Sequence, residues 1–174
     1  MNPASTAFAA PVADDRVAKT VTVAAPIDIA FEVFTARISA WWPMASHHIG
    51  EADCAAVLIE PRVGGRWFER GVDGTECLWG EVLAWAPPHR VCLAWRLSAE
   101  WKHDPALLTE VDVRFTAVDA GTTRVDLEHR GLAAYGEHAA MMVQTFGSPN
   151  GWTGMLDHYA QVASQGAARQ SAVG

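Results

Sequence analysis

The chain is short of positive charge and of long hydrophobic runs, and both shortages exclude classes of protein. It contains 13 Lys and Arg against 20 Asp and Glu, which gives a formal net charge of −7. Nucleic acids and anionic membranes attract clustered Lys and Arg, so we expect neither as a partner. No stretch reaches the roughly 18–20 consecutive apolar residues of a transmembrane helix, so we expect no membrane span.

Cysteine is also scarce, and the usual signatures of cofactor binding are missing. The cysteines are Cys54, Cys77 and Cys92. An odd number without a C-x-x-C spacing indicates reduced core or strand residues of a cytoplasmic protein. The sequence has no Walker loop, no dinucleotide-binding glycine pattern, no nucleophile elbow and no zinc-finger spacing. It therefore predicts no cofactor and no metal.

The nearest approach to a metal-ligand set is His47-His48, with Glu51 and Asp53 close behind. Adjacent histidines point in different directions, and no helical H-x-x-x-H spacing supports a metal ion. We therefore interpret residues 44–52 as a loop at the entrance of a site.

Apolar residues make up 50% of the 174 residues and include eight tryptophans. This composition predicts a single globular domain with a large core, over residues 16–165. Residues 1–15 have no Lys or Arg and only a short apolar stretch, which favours a disordered tail over a signal peptide. Residues 166–174 are expected to form a frayed C-terminal tail.

Residues 60–90 are typical of an antiparallel meander. Gly64-Gly65 and Asp73-Gly74 each suit a tight turn, and Pro87-Pro88 ends a strand because proline cannot continue a ladder. Strands joined by such short turns must be antiparallel neighbours. With alternating segments elsewhere, the sequence predicts about seven strands, near residues 17–23, 55–60, 66–70, 75–86, 91–97, 110–115 and 124–129. In 75–86 both alternating sides are apolar, so the pattern leaves open which side faces inward.

Apolar residues at helical spacing predict the helices. Two short helices follow the first strand, one opening at Pro26 and one carrying Trp41 and Trp42. Another short helix is expected over residues 133–146. Ser148 and Pro149 are expected to cap and begin a long final helix that ends near Ser164. One sheet with one amphipathic helix to cover it gives an α+β fold.

Several segments together resemble a known superfamily. They are VTVAAPIDIAFEVFT (21–35), WWP (41–43), EPRVGGRW (60–67), WGEVLAWAPPHRV (79–91), TRVDLEHRGL (123–132) and GW (151–152). The chain is similar to the SRPBCC superfamily, and within it to the group homologous to the activator of the heat-shock protein 90 ATPase. The resemblance implies a helix-grip fold, in which a curved antiparallel sheet wraps around a long C-terminal helix and leaves an apolar cavity.

The function expected from this fold is non-enzymatic binding of a small hydrophobic or aromatic molecule between the C-terminal helix and the sheet. Residues 41–50 and 97–108 would form a movable mouth. The expected ligand-binding residues are Trp41, Trp42, His47, Trp67, Glu69, Trp95, Phe115, His129, Trp152, Met155 and Tyr159. Both a monomer and a homodimer remain open.

Two polar residues of this set suggest an alternative. Alternation puts His129 on the apolar face of its strand, and it puts Glu69 on the same side as Trp67. A buried carboxylate requires a cation or hydrogen-bond donors. Either both residues are structural, or they face each other across the cavity as acid and base of a cyclase, dehydratase or hydrolase.

A third interpretation follows from the family resemblance alone. The chain could dock on a heat-shock ATPase and stimulate it. That role requires an exposed protein-binding patch and no deep cavity, so the presence or absence of a cavity separates it from the other two.

Overall fold

The strands form one antiparallel sheet in the order β1-β7-β6-β5-β4-β3-β2. The computed structural model describes residues 15–172. Its strands are β1 (Val17–Val23), β2 (Cys54–Ile59), β3 (Arg66–Gly71), β4 (Glu76–Ala86), β5 (Arg90–Trp95), β6 (Thr109–Asp119) and β7 (Thr122–Arg130). The predicted meander is confirmed, and β1 returns to pair with β7. The sheet curls into a half-barrel with a long C-terminal helix, which confirms the predicted α+β helix-grip fold.

The turns form where the sequence predicts them. Gly64 and Gly74 adopt φ values of 80° and 85°, in the left-handed region that glycine tolerates best. Pro87 and Pro88 separate β4 from β5. In β6 and β7 the predicted alternation is confirmed, since the side chains of one face are all buried: Val111, Val113, Phe115, Val125, Leu127 and His129.

Two β-bulges settle which side of β4 faces the core. The register shifts once between β3 and β4, at Trp67/Phe68, and once between β4 and β5, at Val82/Ala84. Each shift inserts an extra residue and reverses the alternation beyond it. The first shift makes Trp79 the extra residue, so Trp79 and Val82 are both buried, although strict alternation would put them on opposite faces.

The helices differ from the prediction at their ends. They are α1 (Ile27–Phe34), α2 (Ala139–Gly147) and α3 (Trp152–Ser171), with 3₁₀ segments at Ile38–Ala40 and Leu132–His138. The predicted helix over 133–146 is divided at Gly136, where φ is 60°. α3 continues to Ser171, so the end predicted near Ser164 is wrong and residues 166–171 are helical. Residues 1–14 of the predicted tail lie outside the described range.

The start of α3 also needs correction. Ser148 does not cap it, because the Ser148 hydroxyl donates to the carbonyl of Thr145 at 2.7 Å and so completes the end of α2. Residues 149–151 form a turn, and α3 begins at Trp152. A Cβ on Gly151 would lie 2.4 Å from the carbonyl oxygen of Phe146, so only glycine allows the end of α2 to approach this closely.

The helices α1 and α3 pack together beside the inner face of the sheet. The Tyr159 hydroxyl of α3 donates to the carbonyl of Ala30 in α1 at 2.6 Å, and the Ser164 hydroxyl accepts from the backbone N–H of Ala24 at 3.1 Å. Leu156, Tyr159 and Ala163 have no exposed surface. The space under this part of α3 is therefore filled. Within residues 15–172, no helix combines the length and the hydropathy needed to cross a membrane.

Candidate functional site

A cavity of about 360 Å³ lies between the first turn of α3 and strands β4 and β5. Its wall contains five tryptophans: Trp42, Trp79, Trp95, Trp101 and Trp152. Residues 46–49 line one side, and the end of α2 with the turn before α3 lines another. The volume falls in the range of small-molecule sites, roughly 300–1,000 Å³. The predicted position between helix and sheet is thus correct for the N-terminal end of α3, but not for the rest of its length.

The tryptophans of the wall contact one another directly. Ring centroids are 5.1 Å apart for Trp42 and Trp79, and 6.2 Å apart for Trp95 and Trp152. Trp42 also donates from Nε1 to the carbonyl of His47 at 2.9 Å. Tilted and edge-to-face ring pairs of this kind stabilise each other beyond the area that they bury. The wall is a connected aromatic layer.

His129 lies behind this wall, in β7, and holds one of its tryptophans. Trp152 Nε1 donates to His129 Nδ1 at 3.1 Å. The Thr109 hydroxyl donates to the carbonyl of Trp95 at 3.0 Å, so it accepts from His129 Nε2 at 2.8 Å. These contacts assign the proton to Nε2, as a neutral imidazole allows. The histidine ring also packs on Phe146, with 4.3 Å between the centroids.

The burial of His129 explains its charge state. The side chain has no exposed surface, and this burial lowers its pKa from 6.5 to about 3. Removing a charge from water is unfavourable unless a partner compensates for it. Both ring nitrogens already form hydrogen bonds that suit the neutral form. His129 is therefore a fixed, neutral support for the wall.

Glu69 lies on β3 and is buried with 1% of its surface exposed. Its Oε1 accepts from Trp79 Nε1 at 2.9 Å and from the backbone N–H of Ile49 at 2.6 Å. Its Oε2 accepts from the backbone N–H of Gly50 at 3.2 Å. A carboxylate is an acceptor-only group, so three surrounding donors match it. Glu69 thus fixes both a tryptophan of the wall and the loop after His48.

The structure places the sequence-predicted residues in three groups. Those that line the cavity are Trp42, His47, Trp95, Trp152 and Met155. Trp67, Glu69 and His129 are buried behind the lining, and Trp41, Phe115 and Tyr159 lie in the filled part of the core. Neither Glu69 nor His129 lines the cavity, so the two do not face each other across it as the acid-base alternative required.

Other lining residues were outside the predicted set of ligand-binding residues. Trp79 lies at a bulge that the sequence pattern does not reveal, and Phe146 ends a helix whose position was only approximate. His48 and Ile49 fall in the predicted entrance loop, and Trp101 falls in the predicted mouth segment. Trp101 adopts a φ of 60°, unusual for a bulky side chain. The high number of tryptophans was the one feature of the sequence that pointed to Trp79 and Trp101 as lining residues.

The mouth segments are held by specific contacts. His47 Nε2 donates to the carbonyl of Asn150 at 2.6 Å, and His47 Nδ1 accepts from the Ser46 hydroxyl at 2.7 Å. This joins the entrance loop to the turn before α3.

In the part of the chain that the structure describes, no group of three or more His, Cys, Asp or Glu side chains is placed to hold a metal ion.

A half-barrel sheet closed by a C-terminal helix, with an aromatic cavity, defines a helix-grip protein of the SRPBCC superfamily. The chain belongs to the family described as activator of Hsp90 ATPase homolog 1-like protein, which matches residues 24–164. The predicted membership is confirmed. No curated protein gives a significant match.

Among the solved structures similar to this chain, two have sequence identities of 28% and 39% to it. An anthrahydroquino-gamma-pyrone synthase, solved in complex with a ligand, is 39% identical over 84% of this chain and 96% of its own, with a TM-score of 0.60. The self-sacrificing resistance protein CalC from Micromonospora echinospora is 28% identical over 89% of this chain and 97% of its own, with a TM-score of 0.68. A protein from Rhodobacter sphaeroides, at 18% identity over 88% and 93% and a TM-score of 0.59, shares the fold.

Proposed function

We propose that this protein binds a flat, polycyclic aromatic molecule in the tryptophan-lined cavity. The observation that carries the proposal is the cavity of about 360 Å³ with five indole rings in its wall. Aromatic side chains bind flat rings by stacking and by edge-to-face contact, and they exclude water while doing so. A cavity of this composition therefore favours a rigid aromatic ligand over a polar metabolite.

The comparisons support the same ligand class. The synthase with 39% identity is named for an anthrahydroquino-gamma-pyrone, and the anthrahydroquinone part of that name denotes a fused ring system. Because nearly the whole of that chain is covered, a related cavity with a related ligand is a reasonable transfer. The open cavity also weighs against docking on a heat-shock ATPase as the main role, since that role was expected to need a solid interior.

A direct binding measurement tests the proposal. The two probes are the hydroxyanthraquinone that carries its hydroxyl at ring position two, and the methyl ether of that compound. Each probe is titrated into the protein while tryptophan fluorescence is recorded. Energy transfer and contact with the wall should produce saturable quenching by both compounds. The variant Met155→Trp should abolish it, because the larger side chain enters the cavity.

The matched control is Val118→Trp, which adds the same ring at a residue that is 63% exposed and outside the cavity. It should bind both compounds as the wild type does. Absence of saturable quenching in the wild type, or equal binding by the Met155→Trp variant, would refute the proposed function.

A further inference from the structure

Within residues 15–172, two cavity-lining residues have a buried polar atom without a hydrogen-bond partner, and these atoms are His48 Nδ1 and Trp95 Nε1. His48 lines the cavity with its side chain 20% exposed, yet its Nδ1 is buried without a hydrogen bond. The nearest charged atom is Glu69 Oε2, at 3.7 Å. That distance is too long for a hydrogen bond but close enough for strong electrostatic interaction.

The carboxylate opposite His48 cannot easily turn away. The backbone N–H groups of Ile49 and Gly50 hold it, and they belong to the two residues that directly follow His48. The indole of Trp79 donates to it from the other side. The same turn therefore presents the imidazole to the cavity and fixes the carboxylate behind it.

Other titratable groups near this pair do not compete for the role. The thiols of Cys54 and Cys77 lie near Glu69, and burial first, then the charge of Glu69, raises the pKa of both. They stay protonated near neutral pH. His47 is already engaged by Ser46 and Asn150. Within residues 15–172, His48 is the only basic side chain with a nitrogen within 4.0 Å of the Glu69 carboxylate.

The chemistry of the pair follows from hydrogen-bonding capacity. Glu69 can only accept, so the neutral imidazole directs its proton from Nδ1 towards the carboxylate and keeps a lone pair on Nε2. Nδ1 is the nitrogen buried without a partner, so Nε2 belongs to the accessible edge of a ring that lines the cavity. Contacts of this type often shorten only when a ligand is bound.

We propose that His48, supported by Glu69, accepts a proton from a phenolic or enolic hydroxyl of the aromatic ligand. The ligand O–H bond breaks, its electron pair remains on the oxygen, and the proton passes to His48 Nε2. The resulting imidazolium faces the Glu69 carboxylate through Nδ1–H. This inference rests on the proposed function and adds to it a ligand class, the hydroxylated aromatics.

The test uses the absorption spectrum of the same hydroxyanthraquinone, whose phenolate absorbs at longer wavelength than its phenol. Bound to the wild type, the compound should show the phenolate band at a pH at which the free compound is still a phenol. In the variant His48→Gln the band should be lost and the affinity should fall on the order of tenfold, as expected for one charge-assisted hydrogen bond. The methyl ether, which has no proton to give, should bind both proteins equally.

The matched control is His138→Gln, on a surface histidine outside the cavity with its side chain 45% exposed. It should keep both the band and the affinity. If the His48→Gln variant keeps them as well, the proton-accepting pair is refuted while binding of the methyl ether leaves the proposed function intact. If neither compound binds the wild type, both proposals fail.

Discussion

Trp152 Nε1 and His129 Nδ1 are 3.1 Å apart, so a buried, neutral histidine sets the orientation of a tryptophan in the cavity wall. Glu69 acts on Trp79 in the same way, from the opposite side of the wall, at 2.9 Å. Polar residues that suggested catalysis in the sequence are thus supports for aromatic rings. A cavity only partly filled by side chains needs such supports, because the rings lack neighbours on their open side.

Replacing His129 by leucine should destabilise the protein. The change removes the acceptor of the Trp152 N–H inside the core, and leaving a buried donor unsatisfied costs about 1–3 kcal/mol. Urea unfolding would measure the loss in the free energy of unfolding. The control His138→Leu alters a surface side chain and should change that free energy by less than about 0.5 kcal/mol. Equal effects of both substitutions would contradict the supporting role of His129.

The buried histidine also predicts how stability depends on pH. Its pKa is about 3 in the folded protein, against 6.5 for the exposed group. Above pH 6.5 the ring is neutral in both states, so its contribution to stability is complete. Below pH 6.5 only the unfolded chain takes up the proton, and the free energy of unfolding falls by up to about 1.4 kcal/mol per pH unit.

Urea unfolding between about pH 7 and pH 4.5 would measure this slope, above the range in which most carboxylates titrate. The variant His129→Gln should be less stable at pH 7 but should have a clearly smaller slope. His138→Gln, altered at the surface, should keep the slope of the wild type. A slope unchanged in the His129→Gln variant would show that another group is responsible.

Trp101 combines an unfavourable backbone conformation with a place in the cavity wall. Its φ is 60°, and its ring contacts Phe146 edge-on with 6.3 Å between centroids. A left-handed conformation costs a residue with a Cβ about 1–2 kcal/mol, whereas glycine adopts it freely but is more flexible when unfolded. Backbone strain of this kind is often retained for function.

The substitution Trp101→Gly should therefore change the free energy of unfolding by less than about 1 kcal/mol, because strain relief offsets lost contacts and added chain entropy. Trp101→Ala is the matched variant, since it removes the same ring but keeps the Cβ and the strain. Both should weaken hydroxyanthraquinone binding on the order of tenfold, equivalent to about 1.4 kcal/mol. The glycine variant should be the more stable of the two. Unchanged binding in both would remove Trp101 from the site.

The sheet and its inner face were predictable because they depend on local signals. Glycine turns separate β2 from β3 and β3 from β4, and alternation in β6 and β7 places Val125, Leu127 and His129 inward without knowledge of the partners. Alternation fails in β4 because each bulge depends on how the neighbouring strand is paired. That is why the inward position of Trp79 could not be read from the sequence.

The site was less predictable because it forms between distant segments. Ser148 has the sequence of a helix cap, but the end of α2 uses its hydroxyl, and α3 begins later at Trp152. This shift moves the cavity towards Trp152 and Met155 and leaves Tyr159 in the filled core. Contacts such as His48 with Glu69 or Trp152 with His129 depend on packing between elements, which periodicity does not encode.

The last prediction concerns residues 97–108, which were expected to be a movable mouth. Arg96 holds this segment in place: its Nε and Nη2 contact both oxygens of Glu81, and its Nη1 donates to the carbonyls of Pro105 and Leu107 at 3.1 Å. The backbone N–H of Asp104 donates a hydrogen bond to the carbonyl of Arg96 at 2.8 Å. The segment carries part of the cavity wall, so this anchor also positions the wall.

The variant Arg96→Lys keeps the charge but cannot form the two-pronged contact with the carboxylate while also reaching both carbonyls. We expect faster amide hydrogen exchange in residues 98–107 and a loss of about 1–2 kcal/mol in the free energy of unfolding. Arg124→Lys, in an exposed ion pair with Asp126 whose side chains are 53% and 38% exposed, is the control and should lose less than about 0.5 kcal/mol. Because Leu97 and Trp101 line the cavity, Arg96→Lys should also release a bound aromatic probe faster. Equal exchange in the two variants would mean that other contacts, such as the bridge between Leu97 and His103, hold the segment without the arginine.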